Sequence, residues 1–191
     1  FHPDFDYGVT RPARNAAPVR VLFMGRLAAY KGLDLFVEGL ERARAEGAQI
    51  APHVCGAGDL GPLRARLAAL GAQVENRWMG DAEIATALSA ADVVAVTYRE
   101  ASQSGVAAAA FGAGRPVIAT PVGALPEQVA HERTGLIAAR ADGAAVGDVL
   151  ARVASAPETL AAMAQNVRAE APQRSMQAFL RALHDVCREG R

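Results

Sequence analysis

The chain has 191 residues, 20 Lys+Arg against 20 Asp+Glu, and a hydrophobic fraction of 51%. That suffices for one soluble domain with its own core, and zero formal net charge argues against a general polyanion binder. Aromatics at 5% argue against a stacking surface for single-stranded nucleic acid, and the two cysteines, Cys55 and Cys187, lie outside any C-x-x-C pattern.

Residues 1–18 carry three prolines and no regular period, and read as a linker. An opening without methionine fits a piece of a longer protein. No apolar run approaches eighteen residues, so no transmembrane segment is expected. From residue 19 a rhythm begins. Strands are expected at 19–24, 53–55, 73–79, 92–97, 116–120 and 134–138. Helices are expected at 33–46, 60–70, 82–90, 104–113 and 125–130, with three closing helices at 144–155, 158–169 and 173–188. Cys55 lies in an apolar run and reads as a reduced, buried small hydrophobe. The strands are short and apolar on both faces, which belongs to a parallel sheet covered by helices. Right-handed crossovers then give a doubly wound, Rossmann-like α/β fold of about six strands with helices on both faces.

Ligands of such sheets bind at the carboxyl ends of the strands. After the first strand, Arg26 and Lys31 lie five residues apart on a glycine-bounded loop. A guanidinium fork and a compact ammonium can together neutralise a diphosphate; the alternative is two solvated surface cations. After the second strand, Gly56-Ala57-Gly58 permits close backbone approach, or makes a plain turn. After the fourth, Glu100-Ala101-Ser102-Gln103-Ser104-Gly105-Val106 leads into a helix whose N-terminus can receive an anion, or which Ser104 simply caps. After the fifth, Gly123 turns into a helix start where Pro126 and Glu127 read as ordinary first-turn residues.

Four segments, GRLAAYKGLD, VCGAGDL, SAADVVAVTYREASQSGVAAAAFGAGRPVIATPVGALPEQV and ERTGLIA, resemble the C-terminal, donor-binding domain of family 4 (group 1) glycosyltransferases of GT-B architecture. The likeness runs over about residues 19–188, and His2-Pro3 looks like the family's inter-domain joint. It implies a nucleotide-sugar donor of UDP or GDP type, no metal or other cofactor, and an acceptor domain elsewhere in the enzyme. It implies retention of anomeric configuration and a cytoplasmic place, with the inner membrane face as the variant. Carried over, Arg26 and Lys31 hold the diphosphate, Gly56 and Gly58 pass under the nucleotide, and backbone at Ser104, Gly105 and Val106 meets the phosphates. Glu100 becomes the first acid of the E-x7-E signature, near the donor sugar. Asp81 and Ile84 fall where the base pocket tends to lie, with Gln103, Gly123 and Glu127 near the donor.

One departure matters. The family's second acid commonly binds ribose, yet alanine stands there, Ala108 by counting from Glu100 and Ala109 by aligning on Gly114-x-Pro116. A nucleotide-binding module that has lost catalysis, or a nucleotide-sugar epimerase of related architecture, are the alternatives. The D-x-D at Asp4-Phe5-Asp6 sits in the linker and reads as incidental, and the four histidines form no metal-ligand pattern.

Overall fold

A computed structural model describes residues 18–174 together with Leu180, Arg181, His184 and Cys187. The linker expected over 1–18, with Asp4-Phe5-Asp6, and the helix expected over 173–188 fall largely outside the described residues.

Six strands form one all-parallel sheet: β1 (Val19–Met24), β2 (Ile50–Cys55), β3 (Gln73–Glu75), β4 (Val93–Val96), β5 (Val117–Ala119) and β6 (Gly135–Ile137), in the order β3-β2-β1-β4-β5-β6. The connections carry α1 (Leu33–Ala45), α2 (Leu63–Ala69), α3 (Asp81–Ala90), α4 (Gly105–Gly112) and α5 (Leu125–Gln128); α6 (Gly143–Ser155) and α7 (Pro157–Glu170) follow β6. The order turns back at β1 and β4, so the first loop and the fourth flank the crevice between those strands.

Alternation along β1 builds two cores. Val19, Val21 and Phe23 pack with α1, α6 and α7 on one face, while Leu22 and Met24 pack with α3 and α4 on the other. The doubly wound expectation is met. Boundaries moved where chemistry intervened. Strand β2 starts at Ile50 despite Pro52, because β3 joins it only from His53 and the first three residues face a ladder on one side alone. Strand β3 ends at Glu75, short of the expected Met79, because Arg77 bridges Glu75 and Glu83 and pulls the chain into a turn. Cys55 is a free, buried thiol, as expected, and burial pushes it up to about 12, helped by the charge of Glu75.

Two buried arrangements brace the frame. Arg115, fully buried before β5, donates through Nε to the Leu88 carbonyl at 3.1 Å and through Nη2 to that of Ser89 at 2.9 Å. It thereby supplies a donor to the Ser89 carbonyl and a second one to that of Leu88, which accepts the Ala91 N–H at 3.3 Å, at the open end of α3. At the amino edge, Arg20 grips buried Asp92 at 2.7 Å and ties β1 to β4. Helices α1 and α6 approach closely because Gly39 lies under Val146 and Gly147.

A Cβ at Gly39 would stand 2.7 Å from Val146 Cγ1 and 3.0 Å from the Gly147 backbone nitrogen. Alanine gains about 1 kcal/mol in helix propensity, whereas overpacking a tight site costs about 1–3 kcal/mol. Backbone cannot swing aside, so Gly39→Ala is expected to lower stability by up to about 2 kcal/mol. Urea denaturation checks this, and an unchanged midpoint would mean that the helices separate freely.

Candidate functional site

The site grows from the end of β1. Strand geometry delivers Gly25, Arg26 and Leu27 to the carboxyl edge, and a 3-10 turn over Ala29–Lys31 folds Lys31 back inward. That side chain is 8% exposed. A Cβ at Gly25 would lie 3.0 Å from Lys31 Nζ and 3.5 Å from Val106 Cγ2, so the first loop, the lysine and the start of α4 converge on one point. Arg26, on the same loop, is exposed.

Lys31 Nζ donates to the Tyr98 hydroxyl at 2.8 Å and lies 4.8 Å from the centre of that ring. The Ser104 hydroxyl donates to the same Tyr98 oxygen at 3.1 Å while accepting from the Ala107 N–H, also at 3.1 Å. Tyr98 is held in turn by Thr120 Oγ1, which donates to its carbonyl at 2.5 Å. A chain of hydrogen bonds therefore joins the first loop to the helix start through one buried tyrosine. Burial pushes the Lys31 ammonium below its usual 10.5; Tyr30 offsets part of this and the charge of Arg26 adds to it. Among the described residues Tyr98 is the hydrogen-bond acceptor recorded for this ammonium, which has three hydrogens.

Helix α4 begins with Ser104 in extended geometry as its N-cap. The Ser104 N–H donates to Gln128 Oε1 at 2.8 Å. This corrects one expectation: buried Ser104 caps and braces, with both its hydroxyl and its N–H engaged inside the protein. The N–H groups of Gly105 and Val106 precede the first intrahelical bond and form the open part of the helix start. They present the positive end of the helix dipole beside Lys31.

The glycines of the second loop are packing devices first. A Cβ at Gly56 would fall 2.0 Å from the Gly25 carbonyl oxygen, and one at Gly58 2.5 Å from that of Leu27. Backbone bonds from Gly25 N to Cys55 O and from Leu27 N to Ala57 O lay the two loops side by side. Gly123 does the same for the fourth loop, where its Cβ would overlap the Ala101 carbonyl.

Glu100 and Gln103 are exposed on that fourth loop. Its neighbour Arg99 is pinned by an ion pair with Asp34 at the start of α1 and by an N–H bond to the Tyr30 carbonyl at 2.7 Å. Glu127 is exposed in the first turn of α5. Asp81 is exposed at the start of α3, and Ile84 packs against the apolar cluster that also holds Tyr98 and Val106. Sequence reading passed over Tyr98 and Gln128. The signal for Tyr98 was a polar aromatic at the end of an apolar strand; for Gln128 there was none, because its partner lies 24 residues away.

A family model described as glycosyl transferases group 1 matches residues 18–156. The chain is 33% identical over 159 residues to the D-inositol 3-phosphate glycosyltransferase of Corynebacterium efficiens, covering 76% of this chain and 37% of that protein. Across the curated relatives the chain spans 26–37% of their length. Anabaena Alr3699/HepE, solved with UDP and glucose, matches with a TM-score of 0.73 and 21% identity, over 94% of this chain and 55% of that one. The C-terminal domain of the group 1 protein LpcC from Francisella tularensis matches with a TM-score of 0.70 and 20% identity, over 90% of this chain and 98% of that domain. Among the described residues no helix is long and apolar enough to cross a membrane.

The buried pair at the centre has a pH signature. Between the lowered folded value of Lys31 and 10.5 the unfolded chain holds that proton more tightly, so stability rises with pH across this window. Burial acts oppositely on Tyr98, raising it above 10.0 although the Ser104 hydrogen bond pulls it back in part; its contribution fades above pH 10. Wild-type stability is therefore expected to climb relative to Lys31→Met as pH approaches about 10. Denaturation curves at several pH values test this, and parallel dependences would mean that Lys31 titrates normally.

Proposed function

The chain belongs to the group 1 glycosyl transferases, and from that premise we propose that it is the nucleotide-sugar-binding domain of a retaining, metal-independent glycosyltransferase. The observation that carries this is the buried Lys31 ammonium, hydrogen-bonded to Tyr98 beside Gly25 and the open start of α4. A buried cation with hydrogens to spare calls for an anion, and a diphosphate matches a lysine, an arginine and two free N–H groups. As the bond from the sugar to the diphosphate breaks, negative charge grows on the departing group. Lys31, Arg26 and the N–H groups of Gly105 and Val106 stabilise that charge. Glu100, at the rim on a loop fixed by Arg99 and Asp34, faces positive charge developing on the sugar.

The acceptor site would come from another part of the protein, in keeping with the chain's share of its relatives' length. A UDP donor is favoured over GDP by the UDP-containing neighbour. The same reading places the protein in the cytoplasm or at the inner membrane face.

A second reading, a module that binds nucleotide without turnover, draws on the alanines at the second acid position. Ala109 is buried in the apolar cluster under α4, whereas Ala108 is only partly buried and can carry a longer side chain. Ala108→Glu therefore separates the two. Tighter nucleotide binding with unchanged inorganic diphosphate binding favours a decayed ribose contact, and weaker binding favours a working pocket of different design.

A nucleotide at about a hundred times its dissociation constant should stabilise the chain by roughly 2.7 kcal/mol. For a domain of this size that raises Tm by about 5–11 °C. The rise is expected with a nucleoside diphosphate and lost in Arg26→Ala or Lys31→Ala. A full shift in both variants would place the ligand elsewhere.

A further inference from the structure

Helix starts in this chain are closed in two ways. At α3 the return half of the cap is local: the Gly80 N–H donates to Glu83 Oε2 at 2.9 Å, so the third residue of the helix reaches back to the residue before it. At α4 the other half is local. The Ser104 hydroxyl accepts from the Ala107 N–H at 3.1 Å, but Ala107, the third residue of this helix, has no polar side-chain atom to return the bond. It is also fully buried in the apolar cluster beneath α4, where a glutamate or glutamine would overpack the core. The return bond comes from elsewhere. Gln128, 24 residues on, accepts the Ser104 N–H at 2.8 Å through Oε1, and its Nε2 donates to the Ser104 carbonyl at 3.5 Å.

Gln128 stands on a fixed platform. Leu125 and Val129, on either side of it in the chain, are fully buried in the core that holds Leu22 and Met24. Gly123 seats the loop before α5 against the Ala101 carbonyl. The clasp therefore ties the fifth loop to the helix start that follows β4.

The anion grip hangs on Ser104. Its N–H goes to Gln128 and its hydroxyl to Tyr98, whose oxygen takes the Lys31 ammonium. Gly105 and Val106, with the open N–H groups, follow directly. Ser104 is 1% exposed, so its N–H has little access to water, and a buried donor without a partner is costly. Without Gln128 the peptide would have to rotate to find one, and the Gly105 amide and the Tyr98 contact would turn with it. A glutamate in the first turn could also close the cap, but it would lay a carboxylate across the start where an anion is to bind. A neutral amide reaching in from the next loop avoids that charge.

We propose that Gln128 is a positioning residue: it completes the cap of α4 from another helix and thereby holds the Gly105 and Val106 N–H groups in line with Lys31. This rests on the donor-site reading above and adds to it a residue that acts on the phosphates through Ser104.

The 191-residue chain is compared with Gln128→Met and Gln128→Glu by amide NMR and by titration with inorganic diphosphate. Methionine keeps the length and removes the acceptor; glutamate keeps the acceptor. Without ligand, the Ser104 amide is expected to exchange with water faster in Gln128→Met, and as slowly as wild type in Gln128→Glu. The Gly105 and Val106 signals should move in Gln128→Met, while those of Phe23 and Val146 in the opposite core stay in place. Diphosphate binding should weaken about 5- to 30-fold in Gln128→Met. Affinity in Gln128→Met equal to or above wild type overturns the proposal: the clasp would then be dispensable, or would block a further phosphate donor. Signals displaced throughout both cores also overturn it, since Gln128 would then hold the fold rather than the helix start. A wild type that binds no diphosphate removes the donor-site reading and this proposal together, even where slow Ser104 exchange shows the cap intact.

Discussion

Everything at the carboxyl edge depends on one buried cation. An ammonium taken out of water must be repaid by charge or by hydrogen bonds, and here the protein provides one tyrosine oxygen and two aromatic faces. That is less than bulk water gives, and the depressed Lys31 value is its signature. The protein sustains the arrangement because Tyr98 is itself fixed from two sides, by Ser104 on α4 and Thr120 after β5. Removing any of these frees the lysine to swing outward, where it would be one more surface charge.

The frame explains why the cation can stay there. Strands β1 and β4 are neighbours at the point where the sheet order reverses, so a loop from each opens on the same crevice. Close contacts that only glycine permits lay the second loop against the first, Gly56 on Gly25, and the fifth against the fourth, Gly123 on Ala101. The rim is consequently a surface of backbone, with charge and aromatic groups at chosen points. Arg26 and Glu100 stand exposed on it, and Lys31 lies beneath.

Much of this was legible from residue order alone. The run at 19–24 matched β1 at both ends, because a β-branched apolar stretch bounded by glycine admits few other readings. Arg26 and Lys31 were recognisable as a pair from their spacing on a glycine-bounded loop. Their different fates were not: burial of one and exposure of the other follow from the 3-10 turn and from Tyr98, 67 residues away. Ser104 was visible as a cap, but its clasp by Gln128 is a tertiary contact with no local trace. The length of β3 was misjudged because Arg77, Trp78 and Met79 look like a continuing strand until the Glu75–Arg77–Glu83 bridge bends the chain.

The central claim is that Lys31 and the start of α4 form one anion site. Backbone amide NMR of the chain during titration with inorganic diphosphate addresses it most directly. The account predicts that the amide signals of Gly25, Gly105 and Val106 move together with one dissociation constant, and that Ser104, whose N–H is held by Gln128, moves less. Shifts concentrated away from this crevice, or movement of the first loop without α4, would contradict it.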